Sequence, residues 1–165
     1  MAIKRITVER FSIISSKRFE DTVAAIEVAI GHPEIAAFWK DVAAADSYAD
    51  VEKVVNRIVG PSGFMKLGRY DLGIFLRKDR GETAPRVLRL VIGNPLIMKK
   101  MLEHVPDAGS YAPVTVLIDE RADGVHLSYD RMSSYLESYG NAEALKVARD
   151  LDAKVEALLA EAAAA

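Results

Sequence analysis

The spacing of apolar and polar positions divides the first sixty residues into one strand followed by three helices. Residues 3–14 carry β-branched and aromatic side chains separated by charges, which predicts a strand. Apolar residues then recur at helical intervals as far as Gly31, which predicts a helix with Ser15 or Ser16 as its N-cap. The segment 31–60 shows two more helical patterns, and we expect it to form an inserted helical pair outside the sheet.

Short strands and helices alternate in the rest of the chain. In order, the pattern predicts a strand at 64–70, a short helix capped by Asp71, a strand at 86–92, a helix that begins after Asn94, a hairpin of strands 114–121 and 125–131, and a C-terminal helix capped by Asn141. The Ala-rich tail at 160–165 is expected to fray. The order β-α-(α-α)-β-α-β-α-β-β-α predicts a single α+β domain over 1–165, with a mixed or antiparallel sheet of about five strands.

Composition and motifs exclude several classes of function. The chain has 165 residues, a formal net charge of −2 and no cysteine, which argues against a nucleic-acid partner and rules out disulfides and thiolate metal sites. Phosphate-binding glycine loops and zinc-binding histidine motifs are absent from the sequence, so we expect no cofactor and no metal. The sequence shows no secretory signal and no apolar run of membrane-spanning length, so we expect a cytoplasmic protein without a membrane partner.

The predicted hairpin carries one group of candidate catalytic residues. A two-residue loop at Asp123-Gly124 would pair Arg121 with His126. Alternation would then place His126 on the same face as Asp119 and Asp130, opposite an apolar face. One interpretation is the acid/base site of a small hydrolase or isomerase, and the other is the solvated face of an antiparallel sheet.

Asn94 has two possible roles at the start of the predicted helix. It can act as an N-cap before Pro95, which suits the first helical position. Alternatively it helps to present the helix N-terminus to an anionic ligand, assisted by Arg89 on the preceding strand. Tyr111, in the long loop that follows, could close over a ligand pocket.

Several of these segments resemble the domain-of-unknown-function family 302. The strand-Gly-Asn-Pro-helix signature at 86–105 is similar to that of the family, as are the Pro-led strand at 113–119 and the Asp-Gly turn after it. The resemblance extends over about 64–160 and the first strand and helix, so the pair at 31–60 looks like an addition that shorter members lack. The resemblance implies a compact α+β domain, often dimeric, without an established activity.

These observations favour a non-catalytic small-ligand-binding or sensing domain that acts as a homodimer. The C-terminal helix repeats apolar residues between Leu145 and Leu158 at intervals of three and four, which is the spacing of a packed stripe. We expect a helix left outside the sheet layer to bury such a stripe against a second chain or a neighbouring helix. The alternative function is a hydrolase or isomerase that uses His126 with Asp119 or Asp130.

Overall fold

The computed structural model describes residues 3–164; Met1, Ala2 and Ala165 lie outside the described residues. The strands are β1 (Arg10–Ser15), β2 (Met65–Asp71), β3 (Val87–Gly93), β4 (Val114–Arg121) and β5 (Gly124–Asp130). The helices are α1 (Phe19–Ala29), α2 (Ile35–Ala43), α3 (Tyr48–Ile58), α4 (Gly73–Arg80), α5 (Pro95–Leu102), α6 (Met132–Glu137) and α7 (Ala142–Ala163), with a short 3₁₀ helix at Pro106–Ser110. None of the helices in the described part of the chain has both the length and the apolar character needed to span a bilayer.

The five strands form one sheet in the order β1-β5-β4-β3-β2, and each neighbouring pair is antiparallel. The α+β class and the antiparallel sheet of five strands are therefore confirmed. Because the first strand pairs with the last, β1 and β2 form the two edges and the hairpin strands lie inside the sheet.

One face of the sheet is covered by α1, α5 and α7, and this covered face holds the main core. Leu90, Val116 and Tyr129 lie side by side on β3, β4 and β5, and each is at most 1% exposed. The apolar stripe of α7 joins the same core, through Ala148, Leu151, Val155, Leu158 and Leu159. The stripe that we expected to require another surface is thus buried within its own chain, against α1, α5, α6 and the sheet.

The opposite face, which we call the open face, carries the alternate residues of the same strands. One row crosses all five strands, and its members are Tyr70, Arg89, Leu117, Ser128 and Ser12. Tyr70, Arg89 and Ser12 are exposed, Leu117 is half-buried, and Ser128 at the centre of the sheet is buried by its neighbours.

Segment 31–60 contains two helices, α2 and α3, and no strand lies between residues 33 and 59. The pair has its own small core of Phe38, Val55 and Met65. Gly31 permits the chain to turn back at this point, since a Cβ there would lie 1.8 Å from the carbonyl oxygen of Ile58. Only a glycine allows that approach of the two backbones.

Four local predictions were wrong. The first strand begins at Arg10 rather than at residue 3, and the N-cap position of α1 is Arg18 rather than Ser15 or Ser16. The N-cap position of α4 is Leu72, which makes no side-chain cap hydrogen bond, rather than Asp71. The carboxylate of Asp71 binds Arg77 instead. The tail continues as helix to Ala163, because the chain end packs into the core and the hydroxyl of Ser15 donates to the Ala163 carbonyl at 3.1 Å. The tail correction arises from a contact between distant segments, whereas the Asp71 correction arises from an ion pair within six residues.

Candidate functional site

The hairpin register differs from the prediction by two residues. Arg121 pairs with Gly124 rather than with His126, so Ala122 and Asp123 form the turn. Gly124 has a φ of +140° and lies against β1, where a Cβ would be 2.8 Å from a methyl carbon of Ile14. The close passage of β1 therefore places the glycine in the strand. Because a shift of two residues preserves the alternation, the predicted division into an apolar and a polar face still holds.

The structure places the three hairpin candidates on the open face but gives each a different partner. The register sets Asp119 directly opposite His126. However, the imidazole Nε2 of His126 lies 2.8 Å from Oδ1 of Asp123, a residue that the sequence analysis did not single out for this role. This contact lowers the pKa of the Asp123 carboxyl, mainly through the hydrogen bond. The imidazole is thus oriented toward the turn.

The carboxylates of Asp119 and Asp130 are each held by an arginine. The Nε of Arg121 donates to Asp119 at 2.6 Å. Arg10 donates two hydrogen bonds to Asp130, at 2.6 and 2.9 Å, and this pair holds the pKa of the Asp130 carboxyl below its usual range. Within residues 3–164, no group of three or more histidine, aspartate and glutamate side chains is arranged to hold a metal ion.

Asn94 caps α5, as predicted. Its Oδ1 accepts a hydrogen bond from the backbone N–H of Leu96 at 2.9 Å, and Pro95 occupies the first helical position. Its Nδ2 donates to the carbonyl of Gly63, also at 2.9 Å. Both ends of the amide are therefore used by the backbone, and the residue ties the start of α5 to the loop before β2.

A cavity of about 160 Å³ lies next to this cap, between the sheet and the helices; we call it the apolar cavity. It is bordered by α2, α5, α7 and the start of β4 and is partly open to solvent, and its principal walls are Ile35, Trp39, Ile97, Met101, Pro113 and Leu151. Gly93 ends β3 at its edge, where a Cβ would approach Pro113 to 3.1 Å. The small residue of the strand-Gly-Asn-Pro signature thus leaves room for the loop that closes this end.

A second cavity of about 290 Å³ opens on the other side of Pro113, on the open face; we call it the tyrosine cavity. Its polar side chains are those of Arg10, Arg89, Ser110, Tyr111, Thr115, Ser128, Asp130 and Tyr135. The rings of Tyr111 and Tyr135 stack with their centroids 4.6 Å apart. Tyr111 is fixed further, since its hydroxyl lies 2.8 Å from that of Tyr139.

The electrostatics of the tyrosine cavity follow from its partial burial. Loss of hydration is the main cause of a raised pKa at Tyr135, and the nearby Asp130 carboxylate raises it further. The phenol of Tyr135 therefore stays protonated at neutral pH. Arg10 neutralises Asp130, which leaves the guanidinium of Arg89 as the remaining charge of the lining.

The structure thus divides the predicted ligand-binding residues between two places. Arg89 and Tyr111 line the tyrosine cavity together with Asp130, whereas Asn94 borders the apolar cavity. Arg10 and Tyr135 also line the tyrosine cavity, and neither is predicted from the sequence. Arg10 reaches the cavity because β1 pairs with β5 opposite Asp130, and no local pattern indicates that pairing.

Comparison with known proteins gives a family and a similar fold. No curated protein matches the sequence. The crystal structure of an uncharacterized conserved DUF302 protein from Bacillus stearothermophilus superposes with a TM-score of 0.64 at 10% identity, covering 93% of this chain and 97% of that chain. The family model of DUF302, a domain of unknown function, matches residues 40–162, which include all of α3 and more than half of the chain. The chain therefore belongs to the DUF302 family.

Proposed function

We propose that the protein is a small-molecule-binding domain whose ligand occupies the apolar cavity. The observation that carries this proposal is a space of about 160 Å³ between the sheet and the helices. An engineered protein cavity of about 150 Å³ with apolar walls stays dry and binds benzene. A cavity of this size therefore suits an uncharged ligand about as large as benzene, or the apolar part of a larger molecule.

The chemistry of the walls supports binding rather than catalysis. Apart from Asn94 and Trp39, the side chains that line the apolar cavity contain no nitrogen or oxygen. The amide of Asn94 already bonds to two backbone groups, which fixes it as part of the cavity wall. Affinity would come from apolar surface removed from water, at about 25 cal/mol per Å².

Thermal unfolding tests the proposal directly. Benzene should raise the Tm of the wild-type protein, because a ligand that binds only the folded state stabilises it by mass action. It should also shift the emission of Trp39, the single tryptophan, which lies in the wall and is 50% exposed.

A matched pair of variants makes this test specific. Ala112→Leu places extra volume in the wall and should abolish both responses, whereas Ala24→Leu adds the same atoms at an exposed site on α1 and should keep them. A Tm shift of equal size in wild type and Ala112→Leu would contradict the assignment to this cavity.

We further propose that the protein acts as a homodimer, through the junction of β2 and α4. Four large apolar side chains are exposed there, from 36% to 74%, and they belong to Tyr70, Leu72, Ile74 and Phe75. Asp71 and Arg77 form an ion pair in the same segment, so two copies could approach without a net repulsion between these groups. Closed two-fold dimers are the commonest soluble assembly.

Light scattering during size exclusion tests the dimer. A mass of twice 18.1 kDa is expected for the wild type at micromolar concentration, and Phe75→Glu should lower it toward 18.1 kDa. Val28→Glu changes a similarly exposed apolar residue on α1 and should leave the mass unchanged. A wild-type mass near 18.1 kDa across the dilution series would refute the dimer.

A further inference from the structure

We propose that the tyrosine cavity is a second binding site, which takes a small organic anion with its carboxylate or phosphate group on Arg89 and its apolar body beside Leu117 and Tyr111. The site goes beyond the proposed function, because it lies on the open face and takes a ligand of different chemistry. The two cavities share only Pro113 and Val114 in their walls.

The charge pattern of the sheet singles out Arg89. Every other arginine on a strand has a carboxylate partner, and the pairs are Arg10 with Asp130, Arg69 with Glu27, and Arg121 with Asp119. Arg89 has no acidic partner within 4.0 Å among residues 3–164, and its guanidinium carbon lies 5.8 Å from the centroid of the Tyr70 ring. A guanidinium offers several N–H donors in a plane, which matches a carboxylate or a phosphate.

The register places hydrogen-bonding groups around this guanidinium. Arg89 lies opposite Leu117, which in turn lies opposite Ser128 on the next strand. Thr115 lies two residues before Leu117 on the same face of β4, and Ser110 ends the 3₁₀ helix that precedes this strand. An anion on Arg89 therefore meets the hydroxyl groups of Ser128 and Thr115 across a floor formed by Leu117.

Asp130 is the carboxylate in the lining and would repel an anion if it were uncompensated. Arg10 removes that repulsion with two hydrogen bonds, at 2.6 and 2.9 Å. With Arg10 and Asp130 neutral as a pair, Arg89 gives the lining a net charge of +1. The tyrosine cavity consequently has a neutral end, where Arg10 pairs with Asp130, and a cationic end at Arg89.

The tyrosines fix the shape of the remaining wall. Tyr111 is held on one side by the ring of Tyr135 and at its hydroxyl by Tyr139. Because the side chain is already ordered, ligand binding loses little conformational entropy at this residue. Aromatic walls favour flat apolar groups through offset stacking or edge contacts. The site therefore fits a compact ring that bears one acidic group.

Isothermal titration calorimetry with benzoate and phenyl phosphate tests the site. We expect at least one of the two anions to bind the wild type, and benzyl alcohol, which has the same ring without the charge, to bind at least tenfold more weakly. The comparison of the two anions shows which acidic group the site prefers. If neither anion binds at millimolar concentration, or if benzyl alcohol binds equally well, the proposal is wrong.

Variants locate the binding. Arg89→Gln should weaken the anion at least tenfold and Arg89→Lys should restore part of the loss, because lysine keeps the charge but loses the planar set of donors. Arg149→Gln removes an exposed arginine on α7 and should leave the affinity unchanged. Unchanged affinity in Arg89→Gln would overturn the assignment.

Trp39 separates this site from the apolar cavity. It lines the apolar cavity and takes no part in the tyrosine cavity. Benzoate should therefore leave its emission unchanged, whether or not benzene shifts it. A benzoate-dependent shift that persists in Arg89→Gln would place the anion in the apolar cavity and overturn the proposal for a second site.

Discussion

Alternate residues of β3 and β4 face opposite sides of the sheet and meet very different surroundings. Leu90 and Val116 point into the layer of helices and are fully buried, whereas their chain neighbours Arg89 and Leu117 lie on the open face. The covered face accordingly borders a cavity with apolar walls, and the open face borders a cavity lined by arginine, tyrosine and hydroxyl groups. One short stretch of strand thus borders two cavities with different linings, because only one face is covered by helices.

The comparison predicts its largest effect for leucines on the two faces. Leu90→Ala should lower the free energy of unfolding by about 3 kcal/mol, since it removes a buried side chain and leaves a cavity. Leu117→Ala makes the same chemical change on the open face and should cost about 1 kcal/mol or less. Denaturant unfolding measures both, and equal losses would show that the open face is covered in solution.

A buried carboxylate on the covered side should give the next largest effect. Asp152 on α7 accepts hydrogen bonds from the Tyr129 hydroxyl and the Met132 N–H, each at 2.7 Å, and from the Ser133 N–H at 3.1 Å. These bonds anchor the start of α6. Asp152→Ala should therefore cost about 2 kcal/mol or more, because it leaves buried donors without a partner.

The control for this prediction is Asp150→Ala, which removes an exposed carboxylate two residues away on α7. Its expected change in unfolding free energy is within about 0.5 kcal/mol. Similar losses in the two variants would mean that Asp152 does not anchor α6.

Asn94 lies at the border of the apolar cavity and should have a smaller effect on stability. Asn94→Ala should lower the free energy of unfolding by about 1 kcal/mol, the usual cost of removing an N-cap. Asn56→Ala, at an exposed position within α3, serves as the control. Full stability of Asn94→Ala combined with weaker anion binding would favour the ligand-binding role for this residue.

The ion pair of the tyrosine cavity should have the smallest effect, and it should depend on pH. Asp130→Asn should cost about 0.5 kcal/mol at pH 7, since Arg10 is well exposed and such pairs are weak. Because the folded-state pKa of Asp130 is lowered, its contribution is present above the unfolded value of about 3.9 and is lost as the pH falls through the folded pKa.

Urea unfolding of wild type and Asp130→Asn at several pH values measures this dependence. The difference between the two proteins should be constant from pH 5 to pH 7 and should shrink below about pH 4. A difference that grew as the pH fell would contradict the ion pair.

The sequence predicts the elements of this fold better than it predicts the contacts between them. Strand alternation and helix spacing locate the sheet strands and six of the seven helices, and Asn94 is correctly predicted as a cap. The hairpin register fails because β1 passes beside Gly124, and the Ser15 cap fails because its hydroxyl bonds to the end of α7. Both depend on which distant segments pack together.

The candidate sites show the same division. Alternation alone places His126 and Asp130 on one face, but it does not show that Asp123 binds the imidazole or that Arg10 binds Asp130. Closeness in sequence suggests that Arg89 and Asn94 act at one site. In the structure they line different cavities. Alternation along β3 puts Arg89 on the open face. Asn94 lies beyond the end of the strand and borders the apolar cavity on the other side of the sheet.

The central claim, that two chemically distinct cavities lie on opposite sides of the sheet, is tested most directly by amide NMR spectra of one labelled sample. Benzene should shift the amide resonances of α5 from Leu96 to Met101, and benzoate should instead shift those of Arg89, Leu117 and Ser128. If both ligands shift the same set of resonances, or if neither ligand shifts its own set, the account is contradicted.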